Sequence, residues 1–247
     1  MNRLRAAGCV FAEDEAALLL ADGRALEPLL VRREAGEPLE QILGWAEFRG
    51  LRIALEPGVF VPRFRTGYLV ERALESARPG AVVVDLCCGA GAIGAALLAE
   101  SPGIELHAAD LDPAAVASAR RNLPPSRVFE GDLFEALPPS LRGRIDLVVV
   151  NAPYVPTEAI ATMPPEARIH EHRLALDGGP DGLGLHRRIA AAAGEWMSPV
   201  SRLLIEAGEA QASRSAALFA ENGFGVETAH SDEYDGTVVI ATLGRRP

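Results

Sequence analysis

The sequence predicts an α/β protein, a doubly wound and mainly parallel seven-stranded sheet with helices on both faces, its last strand antiparallel. Three observations carry this. The stretch Ala81–Gly94, AVVVDLCCGAGAIG, sets four short apolar residues ahead of Asp85, then a turn holding Gly89, Gly91 and Gly94. That is a buried strand, a tight glycine turn and a helix start, an arrangement that lets backbone N–H groups approach a nucleotide-like ligand. From there to the end, strand-like and helix-like segments alternate, as they do in parallel sheets. The last two strand-like runs are joined by a polar segment with no room for a crossover helix, so they pair antiparallel.

The N-terminal part reads differently. From Asn2 to about Leu43 the pattern is helical: Ala16, Ala17, Leu19 and Leu20 lie close to helical spacing, with Gly23 as a stop. Leu26, Leu29 and Leu30 repeat the pattern before Arg32, Arg33 and Glu34, and Pro38 sits where a first helical turn tolerates it. Residues 1–44 are therefore read as a small helical cap. From Trp45 to Val61 the period changes to two, with Phe48, Leu51, Ile53 and Leu55 among polar residues and turns at Gly50 and Pro57-Gly58. That predicts a β-hairpin linker over 45–61. A helix follows from Gly67 to Ala77, for which Thr66 has the residue type of an N-cap. Residues 62–247 form the main domain. Its strands are expected at Val82 to Asp85, Glu105 to Asp110, Arg127 to Glu130, Ile145 to Asn151, Arg202 to Glu206, Gly225 to Ala229 and Thr237 to Thr242. Helices are expected at Ala92 to Glu100, Pro113 to Asn122 and Leu185 to Trp196.

Composition narrows the function classes. With 49% hydrophobic residues in 247, the chain can bury a full core. The 24 basic residues are all arginine, which beside the Ala- and Gly-rich composition reads as coding bias. A formal charge of −10 argues against a broad nucleic-acid surface, which needs clustered positive charge. Cys9, Cys87 and Cys88 have no metal-ligand spacing, so no metal site is expected, and reduced thiols in a cytoplasmic setting are. No apolar run is long enough to span a bilayer, and Glu13, Asp14 and Glu15 spoil a signal-peptide reading.

The chemistry concentrates at strand ends. Asp85, Asp110 and Asp132 fall on one rim of the expected sheet, and an acid about one βαβ unit after a glycine turn can hold ribose hydroxyls. Asp112, before Pro113, is better explained as a helix cap. At Asp132 an acceptor for an adenine amino group is expected, with Leu133 and Phe134 covering the ring. Asn151-Ala152-Pro153-Tyr154 closes another buried strand. An amide or aniline-type nitrogen is a poor nucleophile because its lone pair is delocalised. To alkylate it, an enzyme must hold both N–H bonds with acceptors and present the nitrogen in line to an electrophile. The Asn151 side-chain carbonyl and the Ala152 backbone carbonyl supply such acceptors, Pro153 stiffens the backbone and Tyr154 adds a wall. This is catalysis by orientation and electrostatic preorganisation. A strand-ending turn accounts for the same four residues without any chemistry.

Together these stretches resemble the protein-glutamine methyltransferases of the HemK/PrmC family, from about Gly36 onward. EPLEQILGWAEFRGLRIALEPGVFVPR resembles the family's hairpin linker, DLCCGAGAIG and AADLDPAAV its cofactor turn and ribose acid, and GDLF its adenine segment. NAPY resembles its Asn-Pro-Pro-Tyr motif, and RIHEHRLALDGGPDGLGLHRRI the stretch after it. The resemblance implies a class I, Rossmann-like methyltransferase using S-adenosylmethionine. It implies a cofactor set of Asp85, Cys87, Gly89, Gly91, Asp110, Leu111, Asp132, Leu133 and Asn151. The glutamine amide would lie on Asn151 and Ala152, beside Pro153 and Tyr154, with Arg63 and Phe64 also on the substrate side. Three departures stand out: Ala152 replaces a proline, Phe64, Arg65 and Gly67 replace residues of the family's Pro-Arg-Pro-Glu/Asp-Thr-Glu stretch, and the helical cap is shorter.

The reaction expected is methyl transfer to a glutamine side-chain nitrogen (N5) of a protein or peptide whose glutamine is exposed. A release factor is one candidate acceptor, although the departures suit a side branch with another protein substrate. Two alternatives stay open: N6-methylation of adenine in nucleic acid, which the acidic balance disfavours, and a protein that binds the cofactor without turnover.

Overall fold

The computed structural model describes residues 1–244. Four short helices, α1 (Asn2–Ala6), α2 (Ala12–Ala21), α3 (Leu26–Glu34) and α4 (Leu39–Leu43), lead into a hairpin of β1 (Trp45–Phe48) and β2 (Leu51–Ala54). The helices bury their own small core of Leu4, Ala12, Leu19, Leu29 and Ile42. After a loop and α5 (Gly67–Leu74) come β3 (Val82–Leu86), α6 (Ala92–Glu100), β4 (Glu105–Asp110), α7 (Pro113–Asn122), β5 (Val128–Glu130) and β6 (Ile145–Val150). The chain continues through α8 (Pro165–His170), α9 (Gly184–Trp196), β7 (Met197–Glu206), α10 (Glu209–Glu221), β8 (Gly225–Ser231) and β9 (Gly236–Leu243).

The seven strands from β3 onward form one sheet in the order β5-β4-β3-β6-β7-β9-β8. Strands β3 to β7 pair parallel, while β9 runs antiparallel to both β7 and β8. The inner strands are mainly apolar, with Asp85 in β3 and Asp146 in β6 as exceptions, because both of their faces are covered. Val83, Leu106, Leu147 and Val149 point into the core beneath α5, α6 and α7. Val84, Leu86, Val148 and Val150 point the other way, against Ile189, Ala193 and Trp196 of α9 and Phe219 of α10. Each fully buried side chain of this kind contributes roughly 1.5–3 kcal/mol.

Several boundaries depart from the sequence reading. The hairpin strands end at Ala54, and residues 55–63 are loop; α5 stops at Leu74. Helix α10 has no counterpart in the sequence reading. Its inward residues Ala212, Ser215 and Phe219 include one large apolar side chain, so the periodic signal is faint. Asp112 caps α7 through the Ala114 N–H.

The topology positions the site. From β3 the chain runs outward to β4 and β5, then returns to lay β6 on the other side of β3. In sheets of this kind ligands bind outside the carboxyl ends of the strands where the order reverses. Leu86 is paired with Val150, so the glycine turn after β3 and the polar cluster after β6 flank that point.

Candidate functional site

The glycine turn forms one wall. Cys87 (φ +55°) and Gly89 (φ +55°) adopt left-handed backbone, as does Gly91 (φ +78°), which precedes the first residue of α6. A Cβ at Gly89 would face open space, so that position leaves room for a ligand against bare backbone. Gly91 and Gly94 also serve packing. A Cβ on either would come within 2.8 Å of a leucine, Leu123 and Leu106 respectively.

Three acids were expected on this rim, and the structure gives each a different setting. Asp85 is fully buried; its Oδ2 accepts from the Gly94 N–H at 2.9 Å, and its Oδ1 is buried without a partner. Burial pushes this carboxyl up to about 7. Asp110 braces the turn, accepting from the Gly89 N–H at 2.8 Å and the Asp112 N–H at 2.9 Å. Burial raises its carboxyl, and those two donors oppose the rise. Asp132 is half exposed and pairs with Arg188 of α9 at 2.6 Å, so one of its oxygens is already engaged. Leu111, beside Asp110, is half exposed, and Leu133 is half buried at φ +50°. Phe134 corrects the sequence reading. It is 2% exposed and stacked on Trp196 in the core beneath α9, so it does not cover a ligand ring.

The residues present suit S-adenosylmethionine. Gly89 leaves bare backbone facing open space, and Asp110 keeps lone pairs beyond its two N–H donors. The cofactor's ribose hydroxyls and its ammonium are donors that complement such acceptors.

The opposite wall is the cluster after β6. The Asn151 Nδ2 donates to Thr66 Oγ1 at 3.1 Å, which turns the side-chain carbonyl Oδ1 away from Thr66. Among the described residues no protein group donates to Oδ1 or to the Ala152 carbonyl. Thr66 is thereby corrected too: it makes no side-chain cap to α5, and its hydroxyl serves Asn151 instead. Ala152 is buried, and the Pro153 carbonyl is packed closely against Gly178. The Tyr154 hydroxyl donates to Glu206 Oε1 at 3.3 Å, and burial with that carboxylate raises the phenol to about 12.

Arg63 and Phe64, assigned to the substrate side, have other partners. Arg63 Nη2 donates to the buried Glu171 at 2.6 Å, and the same Glu171 oxygen accepts from the Val61 N–H at 3.1 Å. Phe64 is 70% exposed and stacks on Tyr234 at 5.0 Å between ring centroids. Gly67 allows this, because its Cβ would stand 2.7 Å from the Tyr234 ring.

Glu206 and Glu171 escaped the sequence reading. Glu206 ends β7 as Asp110 ends β4, and that shared position was the available signal. Glu171 sits in a loop with no periodic signal at all.

Residues 51–179 match the methyltransferase small domain family. A release factor glutamine methyltransferase of Geobacter sulfurreducens is 41% identical over 204 residues, covering 81% of this chain and 71% of that protein. A 4-amino-L-phenylalanine/4-methylamino-L-phenylalanine methyltransferase of Streptomyces pristinaespiralis is 37% identical over 201 residues, covering 78% and 68%. Among solved structures, a methyltransferase from Pyrococcus furiosus shares the fold with a TM-score of 0.59 at 16% identity, covering 88% of this chain and 98% of that one.

Proposed function

We propose that this chain, which belongs to the release factor glutamine methyltransferase family, transfers a methyl group from S-adenosylmethionine to the side-chain N5 of a protein glutamine. The observation that carries the reading is the pair of unengaged acceptors, Asn151 Oδ1 and the Ala152 carbonyl, at the strand end beside the glycine turn. A primary amide has two N–H bonds, and two acceptors on adjacent residues can take one each. The lone pair of the nitrogen then points out of the clamp, toward the cofactor wall.

When bound, S-adenosylmethionine supplies an electrophilic methyl carbon on its sulfonium. Asp110 and the Gly89 backbone are assigned to its ribose and approach, Asp85, Cys87 and Gly91 to the turn that frames it, and Leu111, Asp132 and Leu133 to its adenine side. Tyr154 walls the acceptor side with its hydroxyl held by Glu206. Barrier lowering in this arrangement comes from orientation and fixed dipoles, because the accepted nitrogen needs no strong base before attack.

The acceptor we assign is an exposed glutamine on a flexible protein segment, a release factor loop being the first candidate. A loop tip reaches into a strand-end crevice at low cost. No described helix is long and apolar enough to cross a membrane. A cytoplasmic setting fits such an acceptor.

The test offers labelled S-adenosylmethionine with Gly-Gly-Gln peptides, folded release factors, free 4-amino-L-phenylalanine and single-stranded DNA in parallel. Label is expected on glutamine and lost in Asn151→Ala, with a fall of about 10²–10³ in rate. Label on adenine or on the free aniline, and on no glutamine, would overturn the assignment.

A further inference from the structure

We propose that Glu206 is a positioning residue that, through the Thr66 hydroxyl, fixes which end of the Asn151 amide faces the acceptor nitrogen. This rests on the methyl-transfer reading above, in which Asn151 must present an oxygen.

The two ends of an asparagine amide are alike in size, and only their hydrogen-bond partners decide the orientation. With Oδ1 toward the substrate, Asn151 accepts an N–H from the acceptor amide. With the ends exchanged, an NH2 group would meet an N–H, donor against donor, and the clamp would fail. Thr66 by itself does not choose between these states, because a hydroxyl both donates and accepts.

Glu206 makes the choice. It follows Ile205 on β7 as Asn151 follows Val150 on β6, and those two residues are paired in register. Its side chain is almost fully buried, with Oε1 taking the Tyr154 hydroxyl at 3.3 Å and Oε2 left without a partner. The Thr66 hydroxyl accepts from Asn151 Nδ2 at 3.1 Å, and its own proton has no other acceptor among the described residues. Thr66 thus has a proton to give and Glu206 an oxygen to take one. Thr66 and Tyr154 face this carboxyl together with the Arg65 guanidinium, and all three oppose the rise that burial imposes on it. A carboxylate only accepts, so as a carboxylate Glu206 draws the Thr66 proton and leaves the oxygen's lone pairs to Asn151. The order is Asn151 N–H to Thr66 O, then Thr66 O–H to Glu206, with the Tyr154 O–H on the same carboxyl group. One buried group thus orients both polar side chains of the acceptor wall.

The experiment compares the full chain with Glu206→Gln, Thr66→Val, Thr66→Ser and the Thr66→Val/Glu206→Gln double variant. In 15N-labelled protein the Asn151 side-chain amide signal is identified by its loss in Asn151→Ala. It should move in Glu206→Gln and Thr66→Val and return toward the parent position in Thr66→Ser. With the acceptor that the parent methylates, kcat should fall about 10²-fold in Glu206→Gln and in Thr66→Val, with S-adenosylmethionine affinity unchanged. Thr66→Ser should recover most of that loss, and the double variant should be no slower than the slower single one, because both act through one chain of bonds. If Glu206→Gln does not fold, the Thr66→Val and Thr66→Ser pair carries the comparison. An unmoved Asn151 signal, or losses that multiply in the double variant, would overturn the relay. The amide signal needs no acceptor, so failure to methylate any glutamine would sink the proposed function and still leave the relay to be decided.

Discussion

Asp110→Ala tests the cofactor wall and the fold together. The carboxylate accepts two backbone N–H bonds, from Gly89 in the glycine turn at 2.8 Å and from Asp112 at the start of α7 at 2.9 Å, so removing it leaves both donors without a partner. Hydrogen bonds to a charged group are worth about 1.5–3 kcal/mol each. Burial outweighs those bonds, since the carboxyl is raised overall, so the expected loss in the cofactor-free protein is what the stranded N–H donors cost, about 1–3 kcal/mol. Asp110→Asn should not be the mild version. An amide has one acceptor end, so its NH2 must face one of the two N–H donors. S-adenosylmethionine affinity should fall as well, because losing the ribose contacts costs about 1–3 kcal/mol, roughly 5- to 150-fold in Kd. Urea unfolding without cofactor reads the first quantity, and calorimetric titration under conditions where each variant is folded reads the second. Parent-like stability in Asp110→Ala would refute the bracing argument, and parent-like affinity would remove Asp110 from the site.

Two further outcomes follow from groups around the same crevice. Asp85 has its carboxyl raised to about 7, so the folded chain holds a proton there that the unfolded chain has released. The stability linked to that proton is full below the ordinary carboxylate range and is lost as pH rises through about 7. Asp85→Asn should therefore gain on the parent between pH 5 and pH 8 in cofactor-free urea unfolding, by an amount on the order of a few kcal/mol; an equal gap at both pH values would refute it. Gly67→Glu, which restores the residue type of the family stretch, should push the Tyr234 ring off Phe64 and away from Arg49. Overpacking of this kind costs about 1–3 kcal/mol, so thermal denaturation should show a lower Tm, and an unchanged Tm would mean the ring moves freely.

The sheet was legible because its signal is local. Val82 to Leu86 and Ile145 to Val150 are apolar apart from Asp85 and Asp146, and their alternate apolar residues enter two different cores, so the linear string already records burial on both faces. Asn151 and Asp110 were legible because a polar residue ending such a run has few places to be except the rim. What the tertiary structure decided is which distant groups those residues meet. The Asn151 amide is oriented by Thr66, 85 positions away, and Tyr154 is held by Glu206, 52 positions away. Thr66 carries the residue type of a helix cap, and no local pattern distinguishes that role from the one it has. Phe134 reads as an exposed ring cover beside Asp132, yet Trp196 of α9 claims it for the core, while Arg188 of the same helix claims the Asp132 carboxylate. The reason is geometric. Strand order and helix placement set which side chains converge at a rim, and that order depends on how the whole sheet buries its faces, which no single stretch of sequence records.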